Sequence, residues 1–216
     1  MKIAVLSESP ADEAAIRILV EAILGQPTVP PPRPTLRSRG WPSVRDILPS
    51  IIKHLHYQTD ADGLIVVVDA NGSPLHDDPD AGPTDVKGRS RLSLLSAAAG
   101  RTQADLKPVP QRAPLRVAIG LAAPAIEAWY RCGLDATASE VAWTRELKAG
   151  TQPRGKIRSL KRDVYGTDVP PLSVETQVAI EQARRLAANL ALLEKRFPIG
   201  FGSLADAVRS WGGTTG

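Results

Sequence analysis

The chain is 216 residues long, 43% hydrophobic and 23% charged, with a formal net charge of +4 and a pI near 9.4; this is the profile of one moderate-sized globular domain, or of one domain with an appendage. The single cysteine, Cys132, excludes a disulfide framework and a cysteine-based zinc site, and no apolar stretch approaches the ~20 residues that span a bilayer. The N-terminus lacks the basic and long apolar regions of a signal peptide, which predicts a cytoplasmic protein, and the positive charge permits attraction to nucleic acid without demanding it.

Lys2 to Leu6 reads as a short buried strand, broken by Ser7-Glu8-Ser9-Pro10. A helix then runs to about Leu24, with Asp12 as its expected cap and Ile16, Leu19, Val20, Ile23 and Leu24 on one face. Gln26 to Pro34 carries five prolines and can be neither helix interior nor central strand. Thr35 to Ser38 is expected as a short edge strand flanked by Arg33, Arg37 and Arg39, and a helical pattern returns from Val44 to about Tyr57. Its His54 and His56 are two residues apart, do not share a face, and are expected at the surface.

Leu64 to Val68 is an unbroken apolar run, mostly β-branched, ending in Asp69-Ala70-Asn71-Gly72. Such a run fits a strand buried on both faces inside a parallel sheet, and the turn falls at the strand's carboxyl end, where open α/β sheets bind ligands. Gly72 to Gly88 is polar and acidic, with His76, Asp77, Asp78, Asp80 and Asp85, and reads as a long loop. A helix is expected at Arg89–Ala99, a strand at Leu115–Leu121, and another helix from Ala125. From about Leu134 the pattern is entirely helical, with helices expected at Ser139–Lys148, Lys156–Tyr165, Val174 to about Arg196, and Ser203–Trp211. Residues 1–133 therefore read as an α/β domain and 134–216 as a helical C-terminal portion packed on it.

Three acidic positions occupy equivalent places: Glu8 after the first strand, Asp69 after the central one and Glu127 just beyond the last. In a parallel sheet these ends converge on one edge, so carboxylates distant in sequence can meet there. Crowded carboxylates repel and are stable chiefly when a hard cation neutralises them. Each position also has a structural reading: Glu8 and Glu127 as helix-N-terminal acids, Asp69 as an Asx turn or cap. Lys148 to Arg162 forms a basic segment in which Arg154, Lys156, Arg158 and Lys161 are candidate contacts to a phosphate backbone, or else a solvated helix face. There is no Gly-x-Gly-x-x-Gly and no Gly-x-x-x-x-Gly-Lys-Ser/Thr loop.

The segments Val5-Leu6-Ser7-Glu8-Ser9-Pro10-Ala11-Asp12-Glu13 and Val66-Val67-Val68-Asp69-Ala70-Asn71-Gly72 resemble the two signatures of TOPRIM (topoisomerase–primase) domains. Ala123-Pro124-Ala125-Ile126-Glu127-Ala128-Trp129 and the finish Phe197 to Leu204 are similar to segments of a TOPRIM-like bacterial family of unknown function, related to overcoming-lysogenisation-type nucleases. The resemblance implies a Rossmann-like sheet of about four mainly parallel strands flanked by helices. It also implies a magnesium or manganese site held by Glu8, Asp69, Asn71 and Glu127, with Glu8, Asp69 and Glu127 catalytic. The expected activity is hydrolysis or nicking of nucleic acid, DNA first, in a phage-defence or mobile-element setting with an ATPase partner and room for a homo-oligomer. Asn71 stands where the family has a second aspartate, which leaves open a catalytically degenerate interaction module; Asp77 or Asp78 is the candidate replacement carboxylate.

Overall fold

A computed structural model describes residues 1–32, 40–77 and 89–212. The edge strand expected at Thr35–Ser38, with Arg33, Arg37 and Arg39, lies outside the described residues, as do Asp78, Asp80 and Asp85. The described chain folds as β1 (Ile3–Leu6), α1 (Pro10–Leu24), α2 (Gly40–Gln58), β2 (Gly63–Asp69), α3 (Arg91–Ala104), β3 (Arg116–Ala122), α4 (Ile126–Arg131), α5 (Glu140–Lys148), α6 (Pro153–Tyr165), α7 (Leu172–Ala187), α8 (Leu190–Arg196), a π-helical turn (Pro198–Gly202) and α9 (Ser203–Arg209).

The described sheet has three parallel strands in the order β1-β2-β3, fewer than the four expected. Register is fixed by the pairs Ile3↔Gly63 and Leu6↔Val66 on one side of β2, and Gly63↔Arg116 and Asp69↔Ala122 on the other. Because side chains alternate along a strand, each strand feeds two cores. Ile3, Val5, Ile65, Val67, Ala118 and Ala122 face α1 and the C-terminal helices, whereas Ala4, Leu6, Leu64, Val66, Val68 and Leu121 face α2 and α3. Every residue from Leu64 to Val68 is at most 1% exposed, which is why β2 reads as an uninterrupted apolar run. Burial of each such side chain contributes about 1.5–3 kcal/mol.

The first helix is capped three residues earlier than expected. Ser9, not Asp12, is the N-cap: its Oγ accepts the Asp12 N–H at 3.2 Å, Pro10 occupies the first turn, and Gly25 ends the helix at φ 65°. Asp12 is left in the first turn, where its carboxyl group meets the Ser9 side chain. α1 packs along α7, and α2 packs on α3. The helix expected from Val174 to Arg196 is two helices, because the Asn189 side chain accepts the Leu192 N–H at 3.3 Å and caps a new start. In the same core Trp129 meets Phe197 and Phe201 edge-on, with ring centroids 6.5 and 5.2 Å apart. His56 is buried rather than at the surface, its Nε2 lying 2.9 Å from the Lys107 carbonyl. No helix among the described residues is long and apolar enough to cross a membrane.

Candidate functional site

The parallel strands end together, and the acids that follow them meet at that edge. Glu8 lies two residues beyond β1, and its Oε1 accepts the Asp69 N–H at 3.0 Å. Asp69 is the last residue of β2, and its Oδ1 accepts the N–H of Ile126, the first residue of α4, at 2.9 Å. Asp69 is thus a strand-end carboxylate and a cap at once. Glu127 follows in the first turn of α4, 3% exposed. Its Oε1 lies 3.6 Å from Lys161 Nζ, whereas its Oε2 is buried without a hydrogen-bond partner.

A fourth acid joins these three. Asp12 sits in the first turn of α1, and its carboxyl is pushed up to about 7, first by burial and then by the charge of Glu127. Burial likewise raises Asp69 well above the ordinary aspartate range, reinforced by Glu127, Glu8 and Asp12. Glu8 is raised by burial against the opposing Asp69 N–H and Arg91. Glu127 is raised because its burial outweighs the attraction of Lys161. Four half-buried or buried carboxyl groups within one another's field cannot all ionise cheaply, so the cluster retains protons that isolated acids would lose.

Two cations border the cluster. Arg91, at the start of α3, donates from Nη1 to the Asp69 carbonyl at 2.6 Å, lies 3.9 Å from Glu8 Oε1, and sits over the Trp41 ring at 4.8 Å. Lys161, from α6, lies 3.3 Å from Glu175 as well as close to Glu127; its own burial favours the neutral amine, but the two glutamates prevail and its pKa is raised. Tyr130, fully buried with its hydroxyl unpartnered, and Tyr165 complete the surroundings. Both phenols are raised, by burial first and then by the acids.

The structure thus gathers Glu8, Asp69 and Glu127 and adds Asp12, which the sequence offers only as a helix cap, together with Arg91, Tyr130 and Tyr165, which it does not offer at all. Asp12 carried a faint signal in its spacing of four residues from Glu8; Arg91 carried none, since only the packing of α3 brings it to β2. Asn71 occupies a left-handed turn at φ 50° and donates its N–H to the Pro124 carbonyl at 2.8 Å. Asp77 accepts the Ser90 N–H at 2.7 Å at the start of α3, which commits it elsewhere. On α6, Lys161 faces the acids and Lys156 pairs with Glu146 at 2.9 Å, whereas Arg154 and Arg158 are exposed.

The donors are hard carboxylate oxygens, the type that magnesium or manganese takes, and the orphaned Glu127 Oε2 is one such donor awaiting a partner. Against this, among the described residues no group of three or more His, Cys, Asp or Glu side chains is arranged to hold a metal ion. Compared with known proteins, the chain matches no family model, no curated protein and no solved structure.

Proposed function

We propose that the chain is a TOPRIM-like nuclease with a Rossmann-like sheet, dependent on magnesium or manganese and acting on nucleic-acid phosphodiester bonds. The observation that carries this reading is the meeting of Glu8, Asp69 and Glu127 from three distant segments at the carboxyl edge of a parallel sheet, joined by Asp12. Such an edge is where α/β sheets bind their ligands, and a cluster of shifted carboxyl groups there is a candidate working site. Glu8, Asp69 and Glu127 are the residues that would hold the cation. When bound, it supplies Lewis-acid polarisation of a phosphate and a lowered pKa for its water. Within the chain, Asp12 holds a proton near neutral pH, which suits general acid–base exchange. Arg91 keeps the turn after β2 in place through the Asp69 carbonyl and presents a cation beside the acids.

Nicking of supercoiled plasmid in magnesium or manganese, measured for the parent chain and for Glu8→Ala and Asp69→Ala, tests the reading. Loss of nicking by at least about a hundredfold in each variant is expected. Nicking that survives both substitutions refutes this site.

A second reading, a non-catalytic interaction module that partners an ATPase, is favoured by two observations: Asn71 turned into a backbone-pinned turn and the absence of an assembled metal group among the described residues. Calorimetry with manganese separates the two, because a module shows no binding at millimolar cation.

A further inference from the structure

We infer that the groove beside the acidic edge is a binding track for an unpaired strand of nucleic acid. The groove has a volume of about 820 Å³ and runs between the segment after β2, helix α5 and the start of the π-helical turn. Its lining is mainly apolar, from Pro74, Leu75, Val141, Leu147 and Ile199, and Val141 is 66% exposed.

The charge on its walls is one-sided once internal pairing is removed. Asp77 is spoken for by the Ser90 N–H at 2.7 Å and by Arg89 at 3.4 Å. Glu140 is 1% exposed, and its two oxygens accept the Ile199 and Gly200 N–H groups at 2.9 and 2.6 Å. Arg145 and Lys148, in the last turn of α5, are exposed and form no ion pair among the described residues. An apolar floor with two uncommitted cations on one wall matches a chain of bases and phosphates. An unpaired strand offers both base faces and phosphates, whereas a duplex hides its base faces in the stack.

The groove also leads to the acids. Ser73 lines it and lies four residues beyond Asp69, so the two α-carbons are at most about 14 Å apart. Ser73 Oγ accepts the N–H of Arg91 at 2.9 Å, and Arg91 in turn holds the Asp69 carbonyl. The Ser73 end of the groove is therefore within reach of the acidic edge, which a strand bound in the groove would approach from that end. This destination rests on the nuclease reading; the binding itself does not.

The test is fluorescence anisotropy of the full chain with a short fluorescein-labelled oligothymidylate and with a duplex of equal length, in EDTA so that no divalent cation is involved. The oligothymidylate is expected to bind at least about tenfold tighter than the duplex. Arg145→Glu/Lys148→Glu should weaken it at least about tenfold and flatten the logarithmic salt slope by about 1.4, the share of two phosphates. Val141→Asp, at an exposed position, should weaken it as well. Equal affinity for duplex, indifference to both variants, or displacement by polyglutamate as readily as by unlabelled oligothymidylate overturns the inference. Nicking is read in magnesium and strand binding in EDTA on the parent chain, so failure of the nuclease reading shows in nicking alone and failure of the groove shows in anisotropy alone.

Discussion

Replacing Asp12 by asparagine should stabilise the protein, and only above mildly acidic pH. The native Asp12 carboxyl has its pKa pushed up to about 7 from 3.8. Between those values the native state holds a proton that the unfolded chain has released, so stability falls as pH rises through that window and is level above it. The rise from 3.8 to about 7 sets a ceiling of about 4 kcal/mol at about 1.4 kcal/mol for each tenfold change in proton affinity. The four acids share one field, so part of that cost is relieved by proton rearrangement among Glu8, Asp69 and Glu127, and about 2 kcal/mol is the working figure. Asparagine keeps the shape and discards the charge. Urea denaturation at pH 8 should give Asp12→Asn about 2 kcal/mol more stability than the parent, or roughly 4–8 °C in Tm, and the difference should vanish near pH 4, where both side chains are neutral. An asparagine variant no more stable at pH 8, or one whose advantage persists unchanged at pH 4, would refute the reasoning.

The same structure makes three other measurable statements. Glu140→Ala leaves the Ile199 and Gly200 N–H groups without their acceptor and should lower unfolding free energy by about 3 kcal/mol in denaturant titrations, with Glu140→Gln losing less. Gly200→Ala would put a Cβ 1.8 Å from the Leu121 carbonyl oxygen, so it should cost at least about 3 kcal/mol by chemical denaturation; a variant as stable as the parent would mean the turn sits elsewhere. Arg91→Met removes the charge 3.9 Å from Glu8 and should move the Glu8 titration to higher pH in carbon-detected NMR; an unmoved or lowered midpoint counts against the described geometry.

What could be read from the sequence follows what is local. β2 announces itself because its residues are buried on both faces, and each strand-end acid stands immediately beyond an apolar run. Helix α1 was legible in its apolar face, but its cap was misassigned, since Ser9 and Asp12 are both good caps and only backbone geometry distinguishes them. The division of α7 from α8 hides in an alanine- and leucine-rich stretch where one asparagine decides the break. Arg91, Tyr130 and Tyr165 reach the acids only by packing of α3, α4 and α6, and no spacing rule connects them to Glu8 or Asp69. The buried state of His56 likewise has no local signature, because it depends on the Lys107 carbonyl from a distant loop.

The π-helical turn has a consequence for the order in which the molecule is completed. β3 is the outer strand of the described sheet, and the Ala122 carbonyl points inward to Ala70, so the preceding Leu121 carbonyl points outward. Gly200 lies against that outward oxygen, with Glu140 holding the turn in position. The strand's outer side is therefore covered at Leu121 by a turn that lies far beyond it in sequence. During synthesis, β1, β2 and β3 are all available long before Gly200 leaves the ribosome, and for that interval an unguarded strand can recruit a neighbour. Chains cut before Pro198 would leave the Leu121 carbonyl open, which makes the π-helical turn a guard of that stretch of β3 against self-association.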